Sequence, residues 1–155
     1  MPKIKIWIAS DHAGFDLKNS LIQQLQKNND LEITDCGPFD SKSVDYPDFA
    51  DQVCKKIKPN VTEEPFLSEF GVLVCGSGQG MALRANKYQH IRAALVYNDE
   101  IAALSREHNN ANILCMGSRF CTLEMALKWT ELFKVTAFAG GRHQTRVAKV
   151  SAPLS

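Results

Sequence analysis

The sequence predicts an α/β fold: one domain over residues 1–155, built as a three-layer αβα sandwich around a five-stranded, mainly parallel sheet. Three observations carry this. Short apolar runs of strand length alternate with amphipathic runs of helix length along the chain. Glycine, proline and Asn/Asp clusters fall between these runs rather than inside them. A length of 155 residues with 45% hydrophobic content suffices for one full core, and no break in composition calls for a second.

Lys3 to Ser10 (KIKIWIAS) alternates toward an apolar end and forms the first strand, which Asp11-His12-Ala13-Gly14 breaks. Phe15 to Lys27 follows as a helix, with Phe15, Leu17, Leu21, Ile22 and Leu25 at roughly helical spacing and Lys18, Asn19, Gln23, Gln24 and Gln26 filling much of the remainder. Leu31 to Asp35 is a short second strand. Asp45-Tyr46-Pro47-Asp48 opens the second helix, with Pro47 near N1, acids in the first turn and Phe49, Val53 and Ile57 four apart, ending near Pro59. Pro59 to Glu69 carries two prolines and three acids and reads as an exposed connection. Phe70 to Val74 is a buried third strand that runs into Cys75-Gly76-Ser77-Gly78-Gln79-Gly80, with a short helix from Met81 to Lys87 behind it. Ile91 to Tyr97, Asp99 to His108, Ala111 to Met116 and Leu123 to Phe138 continue as strand, helix, strand and long helix. Gly140-Gly141 then introduces a basic segment from Arg142 onward. Such alternation covers both faces of a parallel, Rossmann-like sheet and puts ligands at the carboxyl ends of its strands.

A net charge of +1 gives no global field toward nucleic acid or a membrane surface, so a small-molecule partner is expected. Five irregularly spaced cysteines, with no secretory leader and no spanning apolar segment, fit free thiols in a reducing cytoplasm. Cys36, Cys54, Cys115 and Cys121 read as small buried hydrophobes. Cys75 differs by context. Three glycines at alternate positions, Gly76, Gly78 and Gly80, let the backbone turn N–H groups inward beside a helix start, and the positive potential of such a nest favours a thiolate and an anionic intermediate. Asp11-His12, the Cys75 to Gly80 loop and the polar run Ser105 to Asn110 are all expected at the carboxyl edge of the sheet or in its neighbouring loops. Arg142 and Arg146, four apart, share one helical face and can converge on one anion. Asp11 and His12 are an adjacent ligand pair, but no second His or Cys cluster has ligand spacing, so neither a metal nor another cofactor is expected.

Six segments, SDHAGF (10–15), DYPDFA (45–50), CGSGQGM (75–81) with RANK (84–87), SREHNNANIL (105–114), GSR (117–119) and GGRHQTR (140–146), resemble the ribose-5-phosphate isomerase B family in order and over nearly the whole chain. The resemblance implies interconversion of D-ribose 5-phosphate and D-ribulose 5-phosphate through an enediolate, in the non-oxidative branch of the pentose phosphate pathway. It implies Cys75 as the base, the N–H groups from Gly76 to Gly80, including those of Gly78 and Gln79, as oxyanion donors, and Ser77 as a proton relay. His108 corresponds to the ring-opening residue and Asn109 to the residue that positions it. Asp11, His12 and Tyr46 would line the sugar pocket; Arg142 and Arg146, joined by Arg119, would hold the phosphate. The family architecture also implies a homodimer or a dimer of dimers, with the segment from about residue 139 to 155 reaching a neighbouring subunit. Gln79 departs from the small aliphatic residue common at that place, and the Pro59 to Glu69 connection looks longer than the family minimum.

The plainer readings stand beside these. His108 near a helix end can simply favour the helix dipole, His90 and His143 read as structural or solvated, and two arginines in a tail can be solvated. Dinucleotide binding is the rival enzyme class, but Met81 occupies the third-glycine position and the motif is not in the first strand–helix unit. A six-carbon sugar-phosphate isomerase and a non-catalytic sugar-phosphate sensor complete the alternatives, and the presence of Cys75 favours the five-carbon enzyme.

Overall fold

Side chains of a strand alternate between two faces, and the central strands of this chain are apolar on both. In the computed structural model, which describes residues 2–59 and 64–155, five strands form one sheet: β1 (Ile4–Ser10), β2 (Leu31–Asp35), β3 (Glu69–Cys75), β4 (Ala93–Leu95) and β5 (Ile113–Gly117). Their order is β2-β1-β3-β5-β4 and every neighbouring pair is parallel. Phe70, Val72 and Val74 of β3 join one apolar cluster, while Leu73 and Cys75 face the other. Helices α1 (Phe15–Leu25), α4 (Asp99–Glu107) and α5 (Leu123–Val135) cover the first face through Leu21, Ala102, Trp129 and Phe133. Helices α2 (Tyr46–Cys54) and α3 (Gln79–Ala85) cover the second through Val53, Cys54, Met81 and Ala85. The last helix, α6 (Arg142–Val150), buries none of its residues.

From β1 the chain steps out to β2 and then returns across β1 to β3. The order reverses there, which opens a crevice at the carboxyl ends of β1 and β3. Ser10 pairs with Val74, so Asp11 and Cys75 leave the sheet side by side.

Element types follow the periodicity, and the ends differ where local geometry intervenes. The fourth strand keeps only Ala93–Leu95 of the expected Ile91 to Tyr97, because it is an edge strand with β5 as its one partner. α3 starts two residues early, at Gln79, since Gly78 takes a left-handed conformation (φ 80°) that caps it. α2 stops at Cys54 and α5 at Val135, where Thr136 turns to extended backbone. Residues 60–63 of the Pro59 to Glu69 connection lie outside the described residues.

Lys18 overturns the periodicity reading. Placed by sequence among the polar positions of α1, it is fully buried, and its Nζ donates to Asp35 at 2.8 and 3.0 Å and to the Pro38 carbonyl at 2.8 Å. Phe15 and Phe39 rings flank the ammonium. The pair ties α1 to the loop after β2, and that loop leads to the crevice. Lys18→Met keeps the aliphatic stem but strands a carboxylate and a carbonyl. Because Asp35 retains 28% exposure, the expected loss is about 2 kcal/mol, below the ~3–5 kcal/mol of a fully buried pair. A lower urea midpoint at unchanged m-value checks it.

Candidate active site

At the carboxyl end of β3 the backbone makes the turn that the glycines permit. Cys75 is 4% exposed, and the Gly78 N–H donates to its Sγ at 3.2 Å. This N–H, expected to hold an oxyanion, points in the present structure at the thiol. A side chain at Gly78 would meet Leu95 and the Met116 backbone as well as strain its φ, so the turn requires glycine. Ser77 and Gln79 are exposed at the rim, with the Gln79 N–H donating to Ser77 Oγ at 3.3 Å.

The neighbouring loops close around this turn. The Ser118 N–H donates to the Cys75 carbonyl at 2.8 Å and the Arg119 N–H to the Gly76 carbonyl at 3.1 Å. The Arg119 guanidinium lies over Gly76, with Cζ 3.3 Å from the place of a Cβ. The Tyr46 ring lies against Gly80 in the same way, its hydroxyl 2.8 Å from such a Cβ. Asp11 is buried; its Oδ1 accepts the Gly14 N–H at 2.9 Å, which fixes the turn after β1. His12 is exposed and its Nδ1 accepts the Val44 N–H at 3.2 Å, leaving Nε2 to carry the proton of the neutral ring. Asp11, His12, Tyr46, Cys75 to Gly80 and Arg119 therefore belong to one crevice.

His108 and Asn109 are elsewhere in the chain, contrary to the expectation of the carboxyl edge. The segment directly before a parallel strand sits at the amino edge of the sheet. β3 and β5 run in register, Gly71 beside Ile113 and Cys75 beside Gly117. Four steps of about 3.3 Å put Cys75 roughly 13 Å along the strand from the level at which β5 begins. His108, the C-cap of α4, precedes that beginning. It stacks on His143, ring centroids 4.3 Å apart and planes 14° from parallel. Arg142, His143 and Arg146 line one groove with His108 and Asn109, and no residue of the Cys75 loop contributes to it. Desolvation, then the charges of His108, Arg142 and Arg146, hold the His143 imidazole below the ordinary histidine range.

A buried thiol with polar rim groups and a cationic cluster thus lie on opposite edges of one sheet. Burial first of all pushes the Cys36, Cys115 and Cys121 thiols up and Cys54 up to about 12. Among the described residues no group of three His, Cys, Asp or Glu side chains has the arrangement of a metal site, and no helix is long and apolar enough to cross a membrane. His143, read from sequence as structural or solvated, packs its ring against His108.

Comparison with known proteins gives a consistent result. The Ribose/Galactose Isomerase family profile matches residues 6–150. The probable ribose-5-phosphate isomerase B of Mycoplasma genitalium is 43% identical over 147 residues, 94% of this chain and 92% of that protein. Ribose-5-phosphate isomerase B of Escherichia coli is 36% identical over 148 residues, covering 96% and 95% respectively. A crystal structure of the Mycoplasma genitalium enzyme with bound ribulose-5-phosphate superposes with a TM-score of 0.87 at 39% identity, over 97% of this chain and 96% of that one.

Proposed function

This chain belongs to the ribose/galactose isomerase family, and from that premise we propose that it interconverts D-ribose 5-phosphate and D-ribulose 5-phosphate at a site shared between two copies of the chain. The single observation that carries the chemistry is the buried Cys75 thiol receiving the Gly78 N–H, at the mouth of the crevice where a doubly wound sheet takes ligands. In the open-chain aldose, Cys75 Sγ removes the proton from C2 and the electrons of that C–H bond form the C1–C2 double bond of an enediolate. N–H groups of the Gly76 to Gly80 turn stabilise its oxygen. Returning the proton to C1, while Ser77 passes the hydroxyl proton between O2 and O1, gives the ketose. Atoms and electrons balance with no co-reactant.

His108 opens the cyclic sugar by moving a proton between the anomeric hydroxyl and the ring oxygen, with Asn109 orienting it. Arg142 and Arg146, on one face of α6, hold the phosphate dianion. Since the thiol and the cationic cluster of one chain lie on opposite edges of the sheet, a complete site needs the cluster of a second copy. The absence of any buried residue in α6 supports this reading: the helix is available to dock outward.

The test is turnover of ribose 5-phosphate by purified protein, with allose 6-phosphate and galactose 6-phosphate alongside. Formation of ribulose 5-phosphate with little reaction of the hexoses is the expected result. Preference for a hexose phosphate would reassign the substrate, and binding without turnover would make the chain a sensor.

A further inference from the structure

α4 closes in a tight turn beneath His108. The Ala111 N–H donates to the Ser105 carbonyl at 3.0 Å and the Asn110 N–H to the Arg106 carbonyl at 3.2 Å, with Asn110 in the left-handed conformation (φ 48°) that such a closure uses. Arg106 itself is fully buried, and it forms no ion pair among the described residues. Its fork donates instead to four neutral oxygens: Nη1 to Asn110 Oδ1 at 2.8 Å and the Ala111 carbonyl at 2.7 Å, Nη2 to the Pro65 carbonyl at 3.0 Å, and Nε to the Thr136 carbonyl at 3.3 Å. Desolvation, with Arg92 as the second cause, brings this guanidinium down to about 10, so it remains charged at neutral pH.

A buried cation without a counter-charge is a poor way to stabilise a core, since apolar side chains of similar volume do as well or better. What the four oxygens belong to gives a reason for it. Asn110 and Ala111 follow directly on His108 and Asn109. Thr136 starts the linker from α5 to α6, and Pro65 also accepts the Phe138 N–H of that linker at 2.8 Å. The linker is tied once more by the Ala139 N–H on the Glu107 carbonyl at 3.0 Å. One guanidinium thereby joins the turn that bears His108 to the strap that leads into Arg142, His143 and Arg146.

We infer that Arg106 is a positioning residue for isomerisation: its buried fork locks the His108 turn to the α6 strap and so fixes the distance between the acid-base imidazole and the phosphate-binding arginines. The inference rests on the roles given to His108 and α6 under the proposed function. Lysine offers a single point of donation and cannot span oxygens on three segments. Arg106→Lys therefore lowers kcat and raises KM together, for a loss of about 10- to 100-fold in kcat/KM, the scale of a displacement near 1 Å in a reacting group. Asn110→Gly keeps the left-handed backbone, removes only the Oδ1 tether and gives the same pattern at about 3- to 10-fold; it carries the test if the lysine variant does not fold. Native-state hydrogen exchange supplies the readout independent of activity: both variants lose protection at the Ala111 and Ala139 amides while Val72 in β3 keeps its own. Unchanged kcat and KM per folded site with a lowered melting temperature, or protection lost evenly across the chain, would overturn the inference. If the wild type does not turn over ribose 5-phosphate, the functional reading fails, and the exchange pattern alone decides whether Arg106 is the clamp.

Discussion

Cys75→Ala reduces the isomerisation rate on the order of 10⁴-fold, the upper end of what a positioned proton-transfer group contributes. The magnitude follows from the proposed role of Cys75 as the buried base at the turn, while Asp11, the nearby carboxylate, has Oδ1 engaged by the Gly14 N–H. Alanine fits the space and removes the sulfur that receives the Gly78 N–H, while Gly78 keeps the left-handed φ of 80° that makes the turn. An unreactive sugar phosphate is therefore expected to bind the variant within about twofold of wild type, because the proposed phosphate recognition lies with the arginines. Isothermal titration beside steady-state kinetics checks both halves. Turnover above about one hundredth of wild type would show that another group takes the proton. Iodoacetamide is expected to label Cys75 before the other four thiols, which desolvation pushes up.

The second large effect is selective. His108→Ala slows the reaction of cyclic ribose 5-phosphate by about 10²-fold or more, and leaves an aldose phosphate too short to close a ring within a few-fold of wild type. In the proposed role the imidazole serves ring opening alone, and the ring is stacked on His143 at 4.3 Å. Equal losses on both substrates would move His108 into the enediolate chemistry.

The layers and strand sequence of this fold were legible because strand and helix periods differ and because glycine and proline separate them. The turn beside Cys75 was legible too, since Gly78 takes the left-handed conformation that its glycine allows. The edge on which His108 lies was misplaced for a definable reason. Linear order puts His108 five residues before β5 begins, and the parallel register that turns this into an opposite edge becomes visible only with the strand pairing. Lys18 and Arg106 were illegible in another sense. Periodicity assigns a charged residue to solvent, whereas Lys18 reaches Asp35 and Arg106 reaches the Pro65 and Thr136 carbonyls, which sequence spacing does not bring near. The His143 stack on His108 joins two segments far apart in sequence, a contact that linear order does not reveal.

The shared site is the central claim, and co-expression of Cys75→Ala with His108→Ala tests it most directly. Each variant alone is nearly inactive on cyclic ribose 5-phosphate. In a mixed dimer one site collects both lesions, and the other combines an intact thiol with an intact cationic cluster, so random pairing restores about one quarter of all sites. The account predicts recovery of about one quarter of wild-type kcat at wild-type KM, in proportion to the isolated mixed dimer. Activity that stays at the average of the two variants would contradict it, placing thiol and imidazole in one chain's site.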